Sequence, residues 1–299
     1  MILSPVTIWK KFDLTQALNA ETEAETLTPA GFVAQNVRLD GHLLADGGRV
    51  KIFARFTKPH GSEASPALLL LPDADDDGAE LADYFAAKGY ATLIPDYCGR
   101  RGGKGTGKVT KSDTAENEAD AAKEDAAKED AANAEEIAAE VNTDGGKKNY
   151  TVYPEAADYA NYEVSGAPAY LESESVENSA WMEWAYVALY ALEYLKTRSD
   201  VSKIGVSGVR LGGEIAWMIT LSPDISCAVI VNAAGWRSHL SAPKWGAASA
   251  AGEKSQDSGE EADAVRAFIA GVEAESYAPF VKCPVLMCCA MEDTFFDCD

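Results

Sequence analysis

Residues 203–217 read Lys203-Ile-Gly-Val-Ser-Gly-Val-Arg-Leu-Gly-Gly-Glu-Ile-Ala-Trp217, and this stretch decides the architecture. An apolar strand, Lys203–Ser207, runs into Gly208-Val209-Arg210-Leu211-Gly212, and a helical pattern continues from Leu211 to Leu221. A strand that turns sharply into a helix needs glycines flanking the turn; in a nucleophile elbow the tip of that turn lifts a serine above the sheet. Here the glycines stand in place and the tip holds Arg210. A guanidinium stays protonated in proteins and cannot attack a carbonyl. Ser207 is the second candidate nucleophile. Its register has Gly205 before it but Val209 where the second glycine belongs, and it places Ser207 inside the strand.

On the N-terminal side, Trp181 to Leu195 carries apolar residues at helical spacing. Trp184, Val187, Ala188, Ala191 and Leu195 share a face, and Lys196 and Arg198 near the end suit a helix C-terminus. Further upstream, Ala67–Leu71 is an unbroken apolar run, the pattern of a strand buried on both faces. A helix pattern over Ala79–Ala87 ends at Gly89, and Tyr90–Ile94 is the next strand. Strand, helix and strand in this spacing make a βαβ unit. Ahead of it, Phe32–Leu39 and Arg49–Phe56 alternate around Asp46-Gly47-Gly48 and predict an antiparallel hairpin. After the elbow come strand Cys227–Val231, a helix pattern near Ala262–Ile269, and a last strand, Pro284–Cys289. The whole is an α/β sandwich with a mainly parallel sheet and an antiparallel start.

Residues 102–149 interrupt this rhythm. They are rich in Ala, Glu, Asp, Lys and Gly, and Glu124–Lys128 is nearly repeated in Glu129–Asn133. Such a composition cannot bury a face, so it reads as an acidic surface insertion, disordered or a solvated helix, in a single domain spanning 1–299. The formal net charge of −22 argues against nucleic acid and anionic membrane surfaces as partners. No run approaches the roughly 18 apolar residues of a membrane span. The start, Met1-Ile-Leu-Ser-Pro5, lacks a basic segment followed by an apolar stretch. The six cysteines, Cys98, Cys227, Cys283, Cys288, Cys289 and Cys298, show no zinc-site spacing. They read as buried free thiols in a reducing cytoplasm. Nothing in the sequence points to a metal or another cofactor.

In this order the parts resemble the α/β-hydrolase superfamily, most closely the acetyl xylan esterase, cephalosporin deacetylase and dienelactone hydrolase group. The carriers are the Leu68–Leu71 strand, Gly89-Tyr90-Ala91 leading to Ile94–Arg100, the Gly208–Gly213 elbow, and Cys283-Pro284-Val285-Leu286 running to Glu292-Asp293. The resemblance covers about residues 30–100 and 150–299. It implies an α/β-hydrolase-like sandwich that is C-terminally incomplete, short of the family's last helix, strand and helix. It implies a nucleophile at the Arg210 position, a triad acid at Asp293 with Glu292 beside it, and a histidine some tens of residues past Asp299. His42, His60 and His239 do not match that place.

The same resemblance puts one oxyanion donor at the Leu211 N–H and the other in the loop at Asp73 and Ala74. That loop, Pro72-Asp-Ala-Asp-Asp-Asp-Gly78, brings four carboxylates. They oppose a developing negative charge, or pair with Arg210 as a substitution and its compensation. Asp76 or Asp77 is placed to cap the following helix. Tyr153, Tyr159, Tyr162, Trp181, Trp184 and Trp236 suit either a sugar-binding cleft or a core. Trp236 and Arg237 follow a strand's C-terminal end, where ligands of α/β sheets bind. Three functional readings stand: a non-hydrolytic relative of carboxylic-ester hydrolases, an esterase active in a longer form with another nucleophile, and an anion-binding or interaction module built on Arg210. The ligand is a small ester, a sugar or an anion.

Overall fold

The computed structural model describes residues 12–13, 15–61, 63–74, 76–99, 143–144, 147–161, 176–233, 263, 268 and 270–290. The chain begins with two short strands, β1 (Glu21–Thr22) and β2 (Thr26–Leu27), then the long hairpin β3 (Val33–Leu43) and β4 (Arg49–Lys58). β5 (Ser65–Leu71), α1 (Ala79–Ala87) and β6 (Ala91–Pro95) form the βαβ unit. A small hairpin, β7 (Thr143–Asp144) and β8 (Lys147–Lys148), precedes the main helix α2 (Ala180–Thr197). β9 (Val201–Val209), α3 (Leu211–Ile219), β10 (Ile225–Val231), α4 (Ala274–Tyr277) and β11 (Val285–Cys288) complete the order.

One sheet carries the fold, in the order β1-β3-β4-β6-β5-β9-β10-β11, with β2 also pairing β3. Pairings from β1 to β6 through β3 and β4 are antiparallel, and those from β6 through β5, β9 and β10 to β11 are parallel. The sheet is thus open and mixed, antiparallel at its start and parallel where βαβ crossovers build it.

The short strands β1 and β2 were not foreseen: the stretch from Glu21 to Leu27 is polar and acidic, without alternation. It pairs because the long β3 offers a free edge, and the strand residues Glu21, Thr22, Thr26 and Leu27 all stay exposed there. The insertion read at 102–149 lies largely outside the described residues. At its end β7 and β8 pair antiparallel, Thr143 with Lys148 and Asp144 with Lys147. The helix pattern near 262–269 also lies mostly outside them.

Among the described residues, the two sheet faces are covered unequally. On one, Leu39, Ile52, Phe56, Leu69, Leu93, Val206 and Ile230 pack against α2 and α3 in a continuous core. α2 is buried from Ala180 to Leu192, with Trp181 and Trp184 fully inside. Its apolar stripe is wider than the single face read from its sequence, because sheet, α3 and the Glu155–Ala160 turn surround it. The other face has a small cluster in which Leu68, Leu70 and Ile94 meet Ala82, Leu81 and Phe85 of α1.

On that second side, register carries Leu70 to Ser207, Val229 and Leu286 across β5, β9, β10 and β11. Here Cys227 and Cys288 are exposed, and Leu286 is 58% exposed. The expectation of buried thiols is therefore corrected. Cys98 is buried, but Cys227, Cys288 and Cys289 are exposed and Cys283 is intermediate. Their strands are apolar in sequence, yet α1 covers the middle of the sheet and not the β10–β11 end.

Candidate functional site: the elbow at Arg210

β9 delivers the chain to the elbow at the C-terminal end of the parallel strands. Arg210 is the N-cap of α3, with φ 50° and ψ −116°. That backbone is sparsely populated for any residue with a Cβ and stores about 1–3 kcal/mol. It is held from both sides: the Arg210 N–H donates to Val231 O at 2.9 Å, and Arg210 O accepts from Glu214 N at 3.1 Å.

The glycines explain themselves by distance. A Cβ on Gly208 would lie 2.3 Å from Gly212 O, and one on Gly212 would lie 2.0 Å from Leu71 O. A Cβ on Gly213 would meet the Ala233 Cβ at 2.6 Å. So the first turn of α3 lies against the end of β5, which brings the loop after β5 beside the elbow. The tight turn forms with an arginine at its tip.

The β5–α1 loop meets it there. Asp73 Oδ1 accepts the Ala74 N–H at 2.9 Å, and Asp73 Oδ2 lies 3.9 Å from Arg210 Nε. Among the described residues of the loop, Asp73 thus stands beside the arginine. Asp76 Oδ1 accepts the Gly78 N–H at 2.8 Å and Asp77 Oδ1 the Ala79 N–H at 2.9 Å. Both bond at the entry to α1, but the expected aspartate cap is corrected: the N-cap is Gly78 at φ 65°, a left-handed backbone that glycine adopts readily. Asp75 lies outside the described residues.

Beneath the loop, the Tyr97 hydroxyl donates to Pro72 O at 2.7 Å, and Tyr97 stands edge-on to Trp184, centroids 6.1 Å apart. Tyr153 in turn donates its hydroxyl to Tyr97 O. Burial above all, then the charges of Glu183 and Asp96, holds the Tyr153 phenol well above its usual range, so it stays a donor. Tyr97 was missed as a support for the loop. Its one signal is its position just past a strand end in the run Pro95-Asp96-Tyr97.

The other sequence candidates are placed as follows. Ser207 is 7% exposed and lies within β9, paired to Leu70 and Val229, so its side chain stands on a sheet face and not at the turn. Leu211 is fully buried and opens α3. Asp293, Trp236 and Arg237 lie outside the described residues, as do Glu292, His239 and Tyr162. Tyr153, Trp181 and Trp184 are buried core residues. Tyr159 is partly buried against them.

The described histidines lie on the hairpin side. His42 bonds through Nδ1 to Glu183, at 3.0 and 3.1 Å to its two oxygens. His60 bonds Gly31 O through Nε2. β3 is four strands from β9 in the sheet, roughly 19 Å at the usual strand spacing. Neither histidine serves the elbow. Among the described residues no group of three or more His, Cys, Asp or Glu is placed to hold a metal ion, and no helix is long and apolar enough to cross a membrane.

No protein-family model and no curated protein matches the chain. Solved structures do. Acetyl xylan esterase 1 from Thermoanaerobacterium sp. JW/SL YS485 superposes with a TM-score of 0.62 at 12% identity, over 97% of this chain and 78% of that one. The acetyl xylan esterase from Paenibacillus sp. R4 does so with 0.58 at 16% identity, over 95% and 77%. At such identity the likeness speaks for architecture, and it agrees with the open mixed sheet and the strand-to-helix elbow: the chain has the α/β-hydrolase fold.

Proposed function

We propose that this chain is a relative of the carboxylic-ester hydrolases in which the elbow no longer performs nucleophilic catalysis. The observation that supports this reading is Arg210 at the tip of an otherwise intact elbow, its guanidinium beside Asp73. An acyl-transfer site of this kind needs a nucleophile at that point and a positive oxyanion pocket next to it. A permanent cation fills the first place, and a carboxylate stands in the second. The test is p-nitrophenyl acetate turnover together with fluorophosphonate labelling read by mass spectrometry, on the parent and on Arg210→Ser. The expected parent is folded, unlabelled and silent. Stoichiometric labelling of the parent at Ser207 or another hydroxyl would overturn the reading. Labelling of Arg210→Ser alone would locate the loss at that single side chain.

A second reading rests on the exposure of the same group. The Arg210 side chain is 34% exposed, so the elbow presents a cation to solvent in a protein of net charge −22. Such a group binds an anion. Loss of anion binding on Arg210→Ala supports it, and a parent that binds none removes it.

A further inference from the structure

The carboxylate of Asp73 stands where an anion bound at the elbow would stand. One oxygen takes the Ala74 N–H at 2.9 Å and the other faces Arg210 Nε at 3.9 Å. One side-chain carboxylate thus spans a backbone donor of the β5–α1 loop and the cation at the tip of the turn. The backbone around it is fixed independently of that side chain. Tyr97 holds Pro72 O, Gly212 lies against Leu71 O and Pro72 O, and Asp76 N donates to Asp73 O at 3.0 Å. Asp73 itself is 23% exposed and has solvent to swing into.

We infer that the elbow takes a small carboxylate anion, and that the Asp73 carboxylate is an internal occupant which such a ligand displaces. This rests on the anion-binding reading of Arg210. The chemistry follows from the occupant: what a side-chain carboxylate satisfies, a free carboxylate anion satisfies equally, through a guanidinium and an N–H. The partly exposed pair at 3.9 Å is long for an ion pair, so it yields readily. The displaced Asp73 remains nearby and repels the newcomer, which keeps the parent's affinity low and sensitive to salt.

The experiment titrates acetate into the full chain at constant ionic strength and follows the Ala74 and Leu211 amide resonances. The variants are Asp73→Ala, Arg210→Ala and the double variant, with Asp73→Asn as a second way to remove the charge should the alanine variant not fold. Asp73→Ala is expected to bind acetate about five- to tenfold more tightly than the parent, the range a weak pair plus relieved repulsion allows. The double variant is expected to lose the response. Binding in the parent that Arg210→Ala abolishes, without a gain in either Asp73 variant, overturns the internal occupant and leaves the anion-binding reading intact. Absence of binding in every variant overturns both. Neither result touches the non-hydrolytic reading, which turnover and serine labelling decide separately.

Discussion

At the scale of single residues, the elbow is a strained turn with an arginine at its tip. Arg210 sits at φ 50° and ψ −116°, which a residue without Cβ adopts freely. Arg210→Gly is therefore expected to stabilise the fold by about 1 kcal/mol, after glycine's own entropy is offset against the relieved strain. Urea unfolding of parent and variant checks it, and a net loss would show that the guanidinium's contacts outweigh the strain. Gly212→Ala is expected to do the opposite. Its methyl would fall 2.0 Å from Leu71 O, a backbone atom that cannot step aside, so the loss is about 3 kcal/mol or more. The same urea experiment reads it, and a change below about 1 kcal/mol would mean the α3–β5 contact is looser than the structure shows.

At the scale of elements, the C-terminal end of α2 is clipped to the sheet by charge. Arg198 donates to Asp200 through Nε at 2.8 Å and a terminal nitrogen at 2.7 Å, and lies 3.8 Å over the Phe56 ring of β4. Lys58 of β4 reaches Asp200 at 3.3 Å. The hydrogen bonds from Arg198 hold the Asp200 carboxyl below its usual range, against partial burial, with the charges of Arg198 and Lys58 helping. A carboxyl whose folded pKa is depressed stabilises the fold fully above its unfolded value, about 4, and loses that contribution as pH falls through the folded value. Asp200→Asn is expected to cost about 1 kcal/mol at neutral pH. It is also expected to flatten the loss of stability below about pH 4. Urea titrations between about pH 2.5 and 7 test both, and an acid limb identical to the parent's rules the clip out as its source.

At the scale of the whole molecule, the unequal covering of the sheet sets which surfaces react. Cys98 is 1% exposed beneath the β6 end, whereas Cys227, Cys288 and Cys289 are exposed at the β10–β11 end. In the native protein a maleimide is expected to modify Cys227, Cys288 and Cys289 and to spare Cys98 until denaturant is added. Peptide mass mapping before and after unfolding decides it. Protection of Cys227 and Cys288 in the native state would mean that this face is covered in solution.

The sequence by itself determined the order of the main strands and helices and the elbow. The rules there are local: Ala67–Leu71 and Cys227–Val231 are apolar without break, α1 has its stop at Gly89, and a strand must turn through glycines to become a helix. α1 spans Ala79–Ala87 as its pattern predicts, while strand ends moved by one to four residues because pairing, not composition, ends a strand. The absence of a serine at residue 210 is equally a fact of sequence. Only the tertiary structure decided that Asp73 stands beside Arg210, because Asp73, Asp76 and Asp77 are alike in composition and differ in which backbone N–H each reaches. It alone decided that Tyr153, Trp181 and Trp184 are core and that three apolar-strand cysteines are exposed. Burial depends on what packs from distant parts of the chain, and residue type along a single strand carries no record of that.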